Sequence, residues 1–179
     1  MNVRRTRIVS AAAAGLIAAL ALTGVSATTA SAAPAKAAKI VTCTPANTKT
    51  VLTQVSRPIN HLLIKTTNTG KTPCYAYGAP LVGFDHPQST VQILQESVPQ
   101  AVVTLDPGKS AYAGLLTSGS TGEGANGHWA KQMSLNFQGR AMAGSVGPTA
   151  SPAVPKKTWV DDSAAVSYWQ STQAAALTW

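Results

Sequence analysis

Apolar and polar residues alternate along most of this chain with a period of two rather than 3.6. In the clearest stretch, residues 133–137, three apolar side chains alternate with two polar ones. This period places the apolar side chains on one face and is typical of half-buried β-strands. The same alternation, or a short apolar run between turn residues, predicts further strands at 51–55, 62–66, 81–84, 91–95, 101–105, 111–116 and 164–169. No segment shows three clean helical turns, and residues 174–177 suit one turn at most.

Two turn motifs separate predicted strands. Asp106-Pro107-Gly108-Lys109 suits a type II turn, because proline presets φ at its second position and glycine accepts a positive φ at its third. Asn68 and Gly70 follow the strand at 62–66, and we expect this turn to contain positive-φ residues.

Glycine and proline mark three further interruptions. Gly78-Ala79-Pro80 predicts a break between residues 75–77 and the strand at 81–84. Residues 118–127 contain too many glycines for regular structure, and residues 140–157 are rich in alanine, glycine and proline. Both segments are therefore predicted to be surface loops.

The order of these elements defines a fold class. Seven or eight short strands separated by turns are typical of an all-β fold. We predict an immunoglobulin-like antiparallel β-sandwich, with a small β-barrel as the alternative. Residues 40–179 would form it as a single domain.

The first 32 residues have the anatomy of a secretory signal peptide. Three arginines precede an apolar stretch from Ala11 to Leu22, and Ala30-Ser31-Ala32 offers a small-residue cleavage site. The apolar stretch is shorter than the about 20 residues that span a bilayer. We expect residues 1–32 to be removed on export, by the general secretory route or by the twin-arginine route. Residues 33–39 would form a flexible leader, and the mature protein would be extracellular and without a membrane span.

Composition narrows the range of partners. The chain has 179 residues, of which 45% are hydrophobic and 11% are charged, and this balance disfavours intrinsic disorder. Its formal net charge is +8, but three of these charges belong to arginines of the predicted signal peptide. The lysines are scattered, whereas nucleic-acid binding requires a concentrated basic surface. We therefore expect no nucleic-acid partner.

Cys43 and Cys74 are the two cysteines of the chain. Thiols oxidise outside the cytoplasm, and an even number of cysteines usually pairs, so we expect a Cys43–Cys74 disulfide. Chain-entropy arguments assign such a bridge roughly 3–4 kcal/mol. A reactive thiol or a metal ligand is the alternative, but there is no CxxC spacing and no neighbouring histidine to support it.

Two stretches form a pattern that is distinctive in its order and spacing. They are Leu63-x4-Asn68-x-Gly70-x3-Cys74-x3-Gly78-x-Pro80-x-Val82-x-Phe84 and Leu105-x-Pro107-Gly108-x-Ser110-Ala111. The pattern resembles the actinobacterial secreted family called domain of unknown function 4232, well over about residues 41–116 and loosely over 160–169. This resemblance implies a secreted β-sandwich, sometimes lipid-anchored in relatives, with no established activity or catalytic residues. Members often carry a further cysteine pair in the second half, which this chain lacks.

Motifs for catalysis or cofactor binding lack the context that they require. Gly122 to Gly127 matches G-x-G-x-x-G, but a strand pattern follows it where a nucleotide site needs a helix. His61, His86 and His128 could join an aspartate and a serine, but there is no G-x-S-x-G nucleophile elbow. The histidines also lack the H-x-H or H-x-x-x-H spacing of zinc ligands. We predict no catalytic residues, no metal and no cofactor.

The four tryptophans are the most suggestive candidates for ligand contact. Exposed indole rings can bind sugar rings or partner proteins. Trp129 and Trp169 lie in strand-like segments and are expected in the core, because tryptophan is highly buried on average. Trp159 and Trp179 follow breakers or end the chain, and we expect them at the surface as possible contact residues.

These observations together predict a secreted, non-catalytic binding or interaction module. Its partner would be an extracellular protein or a cell-wall polymer, contacted through the loops at 118–127 and 140–157. An inhibitor of an extracellular protease and a secreted hydrolase are the alternatives. An inhibitor requires a rigid convex loop, and a hydrolase requires a pocket where a histidine, an aspartate and a serine meet.

Overall fold

The structure is a computed structural model that describes residues 40–119 and 125–179. The predicted signal peptide at 1–32, the predicted leader at 33–39 and the centre of the glycine-rich loop, 120–124, lie outside the described residues. Within the described ranges almost all regular structure is strand, which confirms the all-β prediction. A 3-10 turn (Gln95–Ser97) follows the fifth strand, and one helical turn lies near residue 175. The elements in chain order are β1 (Val41–Thr42), β2 (Thr48–Gln54), β3 (His61–Asn68), β4 (Cys74–Phe84), β5 (Gln92–Ile93), β6 (Val103–Leu105), β7 (Ser110–Leu116), β8 (His128–Trp129), β9 (Met133–Gln138), β10 (Ser145–Ala150), β11 (Trp159–Val160), β12 (Ala165–Val166) and α1 (Gln173–Ala176).

Two five-stranded sheets contain ten of the strands formed by residues 40–119 and 125–179. In the first sheet, β4 pairs with β1 and β6 through its first residues and with β9 further along, and β9 pairs with β10. The second sheet has the order β2-β3-β7-β12-β5. The two remaining strands, β8 and β11, form a separate antiparallel ribbon.

Both sheets are mixed, so the prediction of a wholly antiparallel sandwich is wrong at two pairings. β1 is parallel to β4, and β5 is parallel to β12. Parallel neighbours require a crossover connection rather than a hairpin. For β1 and β4 this connection is the β2–β3 hairpin, which lies in the other sheet.

The sheets share one hydrophobic core. Phe137 of the first sheet stacks on fully buried Trp169, with ring centroids 5.4 Å apart and planes 18° apart. The alternation in β9 directs Met133, Leu135 and Phe137 inward, as predicted. Since burying one large apolar side chain contributes about 1.5–3 kcal/mol, this core dominates the stability. Further residues of the same cluster come from both sheets: Leu62, Ile64, Ala113 and Leu115 from the second, and Val82 and Leu105 from the first.

The predicted break at Gly78-Ala79-Pro80 is instead a bulge inside one continuous strand. β4 runs for 11 residues, and its register against β9 shifts between Tyr77 and Leu81. Proline lacks a backbone N–H and is tolerated within a sheet where a bulge interrupts the pairing. The glycine and the proline therefore bend the strand without ending it.

The prediction that 140–157 is a loop is also wrong in part. Residues 145–150 form β10, the outer strand beside β9, and its register shifts between Val146 and Ala150. Pro148 lies within this irregular stretch. An outer strand accommodates proline because one of its two sides has no ladder to complete.

The turn after β3 differs from the expected one, because Asn68, Thr69 and Gly70 all lack a positive φ. The side chain of Asn68 closes this turn instead. Its Oδ1 accepts a hydrogen bond from Gly70 N, and its Nδ2 donates to Thr72 O and Leu105 O. Asn68 is 1% exposed, so the amide satisfies backbone groups that would otherwise be buried without partners.

Candidate functional site

An exposed pair of tryptophans is the most conspicuous surface feature of the described chain. Trp129 and Trp159 face each other across the β8–β11 ribbon, with ring centroids 5.1 Å apart and planes at 74°. Ala130 N donates to Thr158 O, so the tryptophans occupy the adjacent non-hydrogen-bonded position, where cross-strand side chains come closest. They are 58% and 39% exposed, respectively. An edge-to-face aromatic pair held by backbone pairing is therefore presented to solvent.

The two indoles line one side of a cleft of about 240 Å³. The cleft is assembled from the end of β2, the start of β3, the residue after β7 and the ribbon. Its polar groups include two amides, two threonine hydroxyls, an imidazole and an ammonium group. The lining residues are Gln54, Val55, Asn60, His61, Leu62, Thr117, Trp129, Lys157, Thr158 and Trp159.

The indole of Trp159 lies directly over Gly127. A Cβ added to Gly127 would clash with Cζ2, Cε2 and Nε1 of that indole. The glycine therefore permits a close approach of the ring to the backbone, and this contact determines where the ring lies. Gly127 belongs to the string that matches G-x-G-x-x-G, and its described role is packing under an aromatic ring.

Hydrogen bonds join the ribbon to the second sheet and to the loop beside it. Asp161 N donates to Thr117 O at 3.1 Å, which connects the end of β11 to the end of β7. The Asp162 carboxylate accepts from Ala125 N at 2.7 Å. Ser163 Oγ donates to the Asp161 carboxylate and accepts from Gly119 N. The adjacent aspartates thus organise local backbone.

Asp85 supports the ribbon from the other side. Its carboxylate accepts hydrogen bonds from Lys131 N and Gln132 N, and it forms an ion pair with His128 Nε2 at 3.1 Å when that ring is protonated. His128 and Trp129 are consecutive strand residues, so their side chains point to opposite faces of the ribbon. Asp85 therefore holds the His128 side chain and the backbone that follows β8, while leaving the Trp129 face free.

The pKa of Asp85 lies below its ordinary value of 3.8. Partial desolvation acts to raise the pKa, but the two backbone N–H donors and the His128 ring together outweigh this effect. Each of these donors favours the charged carboxylate.

The tryptophans do not all lie where the sequence pattern placed them. Trp159 lines the cleft, and Trp179 is 41% exposed, with its main-chain oxygen 3.0 Å from His61 Nε2. Trp169 is buried as expected, but the prediction that Trp129 is a core residue is wrong. The residues two positions to either side of Trp129 are Gly127 and Lys131, so no apolar stripe includes it. That local signal distinguishes Trp129 from the core positions of β9.

The cysteines form the predicted bridge. Cys43 and Cys74 are joined by a disulfide and are fully buried within the core cluster. The bond ties the residue after β1 to the first residue of β4. A disulfide of this kind is compatible with an extracellular location.

The predicted turn residues do not line the cleft and instead shape the strands and turns of the fold. Gly108 has φ 78°, and Lys109 N donates to Asp106 O across the turn whose second residue is Pro107. Gly78 has φ 60°, and a Cβ there would clash with the Gln138 amide, which accepts from Ala79 N and donates to Met142 O.

The histidines do not form a catalytic triad within the described part of the chain. His128 meets Asp85, but no described serine hydroxyl hydrogen-bonds to a histidine ring. No group of three or more histidine, cysteine, aspartate or glutamate side chains suited to a metal ion occurs in residues 40–119 and 125–179. Among those same residues, no helix has the length and apolar character that crossing a membrane requires.

Fold and site together define an all-β protein with a disulfide-braced core and an aromatic surface cleft. The family model described as domain of unknown function (DUF4232) matches residues 43–170, and the chain belongs to this family. No curated protein and no solved structure matches the chain.

Proposed function

We propose that the protein is a secreted, non-catalytic module that binds an extracellular polysaccharide in the Trp129–Trp159 cleft. Residues 1–32 would direct export, and the mature domain would act outside the cell. The buried Cys43–Cys74 bridge supports this assignment because such bonds persist in oxidising compartments.

The exposed tryptophan pair carries the proposal. A pyranose ring has a flat face of C–H groups and an edge of hydroxyl groups. An indole matches the flat face, and the amide and hydroxyl side chains beside it, such as Gln54 and Thr158, match the polar edge. Two large exposed indoles cost solvation free energy in the free protein, and stacking against a ligand recovers it.

The size and openness of the cleft favour one ring of a polymer over a separate small molecule. Its volume of about 240 Å³ is below the roughly 300–1,000 Å³ typical of pockets for drug-sized ligands. A polymer chain that passes over the ribbon would place one sugar in the cleft and extend beyond it in both directions.

Sedimentation with insoluble polysaccharides tests the proposal. The mature protein, residues 33–179, is incubated with purified peptidoglycan, chitin, cellulose and xylan, and the fraction removed from solution is measured. We expect retention on at least one polymer and a loss of about tenfold or more in Trp129→Ala and in Trp159→Ala.

Tyr75→Ala is the matched control, because Tyr75 is a partly exposed aromatic residue outside the cleft. It should bind as the parent does. Retention on none of the polymers, or equal retention of all variants, would refute the proposal. Binding of proteins by the same tryptophans, with no polysaccharide bound, would assign the cleft to a protein partner instead.

A further inference from the structure

The groups that surround the tryptophans determine which sugars the cleft would favour. Lys157 lines the cleft beside Trp159 and Thr158. It has φ 61°, a left-handed conformation that a non-glycine residue adopts only when its surroundings impose it. The lysine backbone is thus held at the cleft by the segment that leads into β11.

His61 also lines the cleft, and main-chain oxygens lie beside both of its ring nitrogens. Nδ1 lies 2.6 Å from Ile59 O, and Nε2 lies 3.0 Å from the main-chain oxygen of Trp179. Both partners can only accept hydrogen bonds. These contacts with the main chain fix the orientation of the imidazole ring at the wall of the cleft.

The loop between β2 and β3 adds a second positively charged residue to this neighbourhood. Arg57 is exposed and lies between Val55 and Asn60, both of which line the cleft. None of the described lining residues is an aspartate or a glutamate. The cleft therefore combines an aromatic platform with an excess of positive charge.

We infer that the ligand is an acidic polysaccharide, whose sugar ring stacks on Trp129 and Trp159 while its carboxylate or phosphate group faces Lys157. This inference rests on the proposed function and specifies its ligand class. Opposite charges across a partly exposed site contribute modestly each, and two together give about a tenfold preference.

A pair of polymers that differ in charge alone tests the inference. Polygalacturonic acid has a carboxylate on each ring, and its fully methyl-esterified form has the same backbone without the charge. Dissociation constants for residues 33–179 are measured by calorimetry in about 25 mM and about 300 mM NaCl. We expect about tenfold tighter binding to the acidic form at low salt, and most of this preference should disappear at high salt.

Variants separate the charge from the aromatic platform. Lys157→Gln should weaken binding to the acidic polymer about threefold to fivefold and leave binding to the neutral ester unchanged. Lys109→Gln is the matched control, because Lys109 is an exposed lysine in the β6–β7 turn and does not line the cleft. Trp129→Ala should weaken binding to both polymers equally.

Each outcome bears on a different claim. Equal affinity for the two polymers, lost in Trp129→Ala, would overturn the acidic ligand and leave the proposed function intact. Binding of neither polymer would overturn the acidic ligand, and if the insoluble polysaccharides are not retained either, the proposed function fails with it. A charge preference unaffected by Lys157→Gln would place the acidic ligand outside the cleft and would also overturn the inference.

Discussion

Two aromatic pairs of similar spacing occupy opposite environments in this protein. Phe137 and Trp169 stack at 5.4 Å in the core, while Trp129 and Trp159 meet edge-to-face at 5.1 Å on the surface. The first pair is fully buried, and its indole N–H has no hydrogen-bond partner among the described residues. The second pair remains about half exposed. Aromatic contacts at similar distances therefore serve stability in one region and remain accessible in the other, and substitutions should separate these roles.

The largest loss of stability is expected from Trp169→Ala. Removing a fully buried indole leaves a cavity between the sheets and should lower the free energy of unfolding by about 3–5 kcal/mol. Denaturant unfolding of residues 33–179 measures this. Trp169→Phe keeps a stacked ring and removes the unpartnered N–H, so it should cost less than half as much. A loss of under about 1 kcal/mol in Trp169→Ala would contradict the assignment of this pair to the core.

The disulfide, like the buried aromatic pair, is expected to contribute to stability and not to ligand binding. The double variant Cys43→Ala/Cys74→Ala should lower the free energy of unfolding by about 2–4 kcal/mol. Polysaccharide binding by the molecules that remain folded should be unchanged, because neither cysteine lines the cleft. Calorimetry on the variant below its Tm checks both quantities. A weaker dissociation constant at an unchanged folded fraction would show that the bridge also shapes the cleft.

A smaller loss of stability is expected from Asp85→Asn. Asp85 directly follows β4 of the first sheet and contacts the segment around β8. An asparagine keeps one acceptor oxygen but loses the negative charge that interacts with Lys131 N, Gln132 N and His128. Because the site is partly exposed, the expected cost is about 1 kcal/mol, measured by denaturant unfolding near neutral pH. Loosening of β8 should also weaken ligand binding. His86→Ala, which changes the neighbouring residue but none of these contacts, serves as the control.

Lowering the pH should also remove the stabilisation that the Asp85 carboxylate contributes. The pKa of Asp85 is lower in the folded state than its ordinary value of 3.8, so the folded state favours the carboxylate. The stabilisation is therefore complete above about pH 5 and is lost as the pH falls below about 4 and through the lowered pKa. The Tm difference between the parent and Asp85→Asn should shrink from pH 6 to about pH 2.5. A constant difference would mean that Asp85 acts through shape alone.

The smallest stability effect is expected from Trp129→Ala. Its side chain is more than half exposed, so the free energy of unfolding should change by no more than about 0.5 kcal/mol, although ligand binding falls strongly. Parallel unfolding and sedimentation measurements on this variant and on Trp169→Ala make the contrast direct. A loss of stability comparable to that of Trp169→Ala would remove the distinction between the two pairs.

Local sequence patterns predicted some elements of the fold correctly and others wrongly. The alternation of β9 predicted its buried face. Successive side chains of a strand point to opposite faces, so apolar residues at every second position lie on one face. The bulge at Gly78 and the strand at 145–150 were not predicted, because in a local sequence pattern proline and glycine indicate the end of a strand. Both survive within sheets because a neighbouring strand, β9, supplies pairing on one side.

The candidate site was predicted only in part, since Trp159 was expected at the surface and Trp129 in the core. The cleft joins residues near 54–62, residue 117, residue 129 and residues 157–159, which are far apart in the chain. Local patterning indicates that a side chain is apolar, but it contains no information about what covers that side chain. The position of Lys157 and the two carbonyl partners of His61 likewise depend on contacts between distant segments.

The amino-acid sequence by itself determined the all-β class and the Cys43–Cys74 pairing. Strand patterns repeat within a few residues, and two cysteines allow only one bond within the chain. The tertiary structure alone decided which aromatic pair is buried and which is exposed. Each indole has the same chemistry, and its role depends on whether the opposite sheet covers it. The first sheet packs over Trp169 through Phe137, whereas β8 and β11 form a separate ribbon on which Trp129 and Trp159 stay exposed.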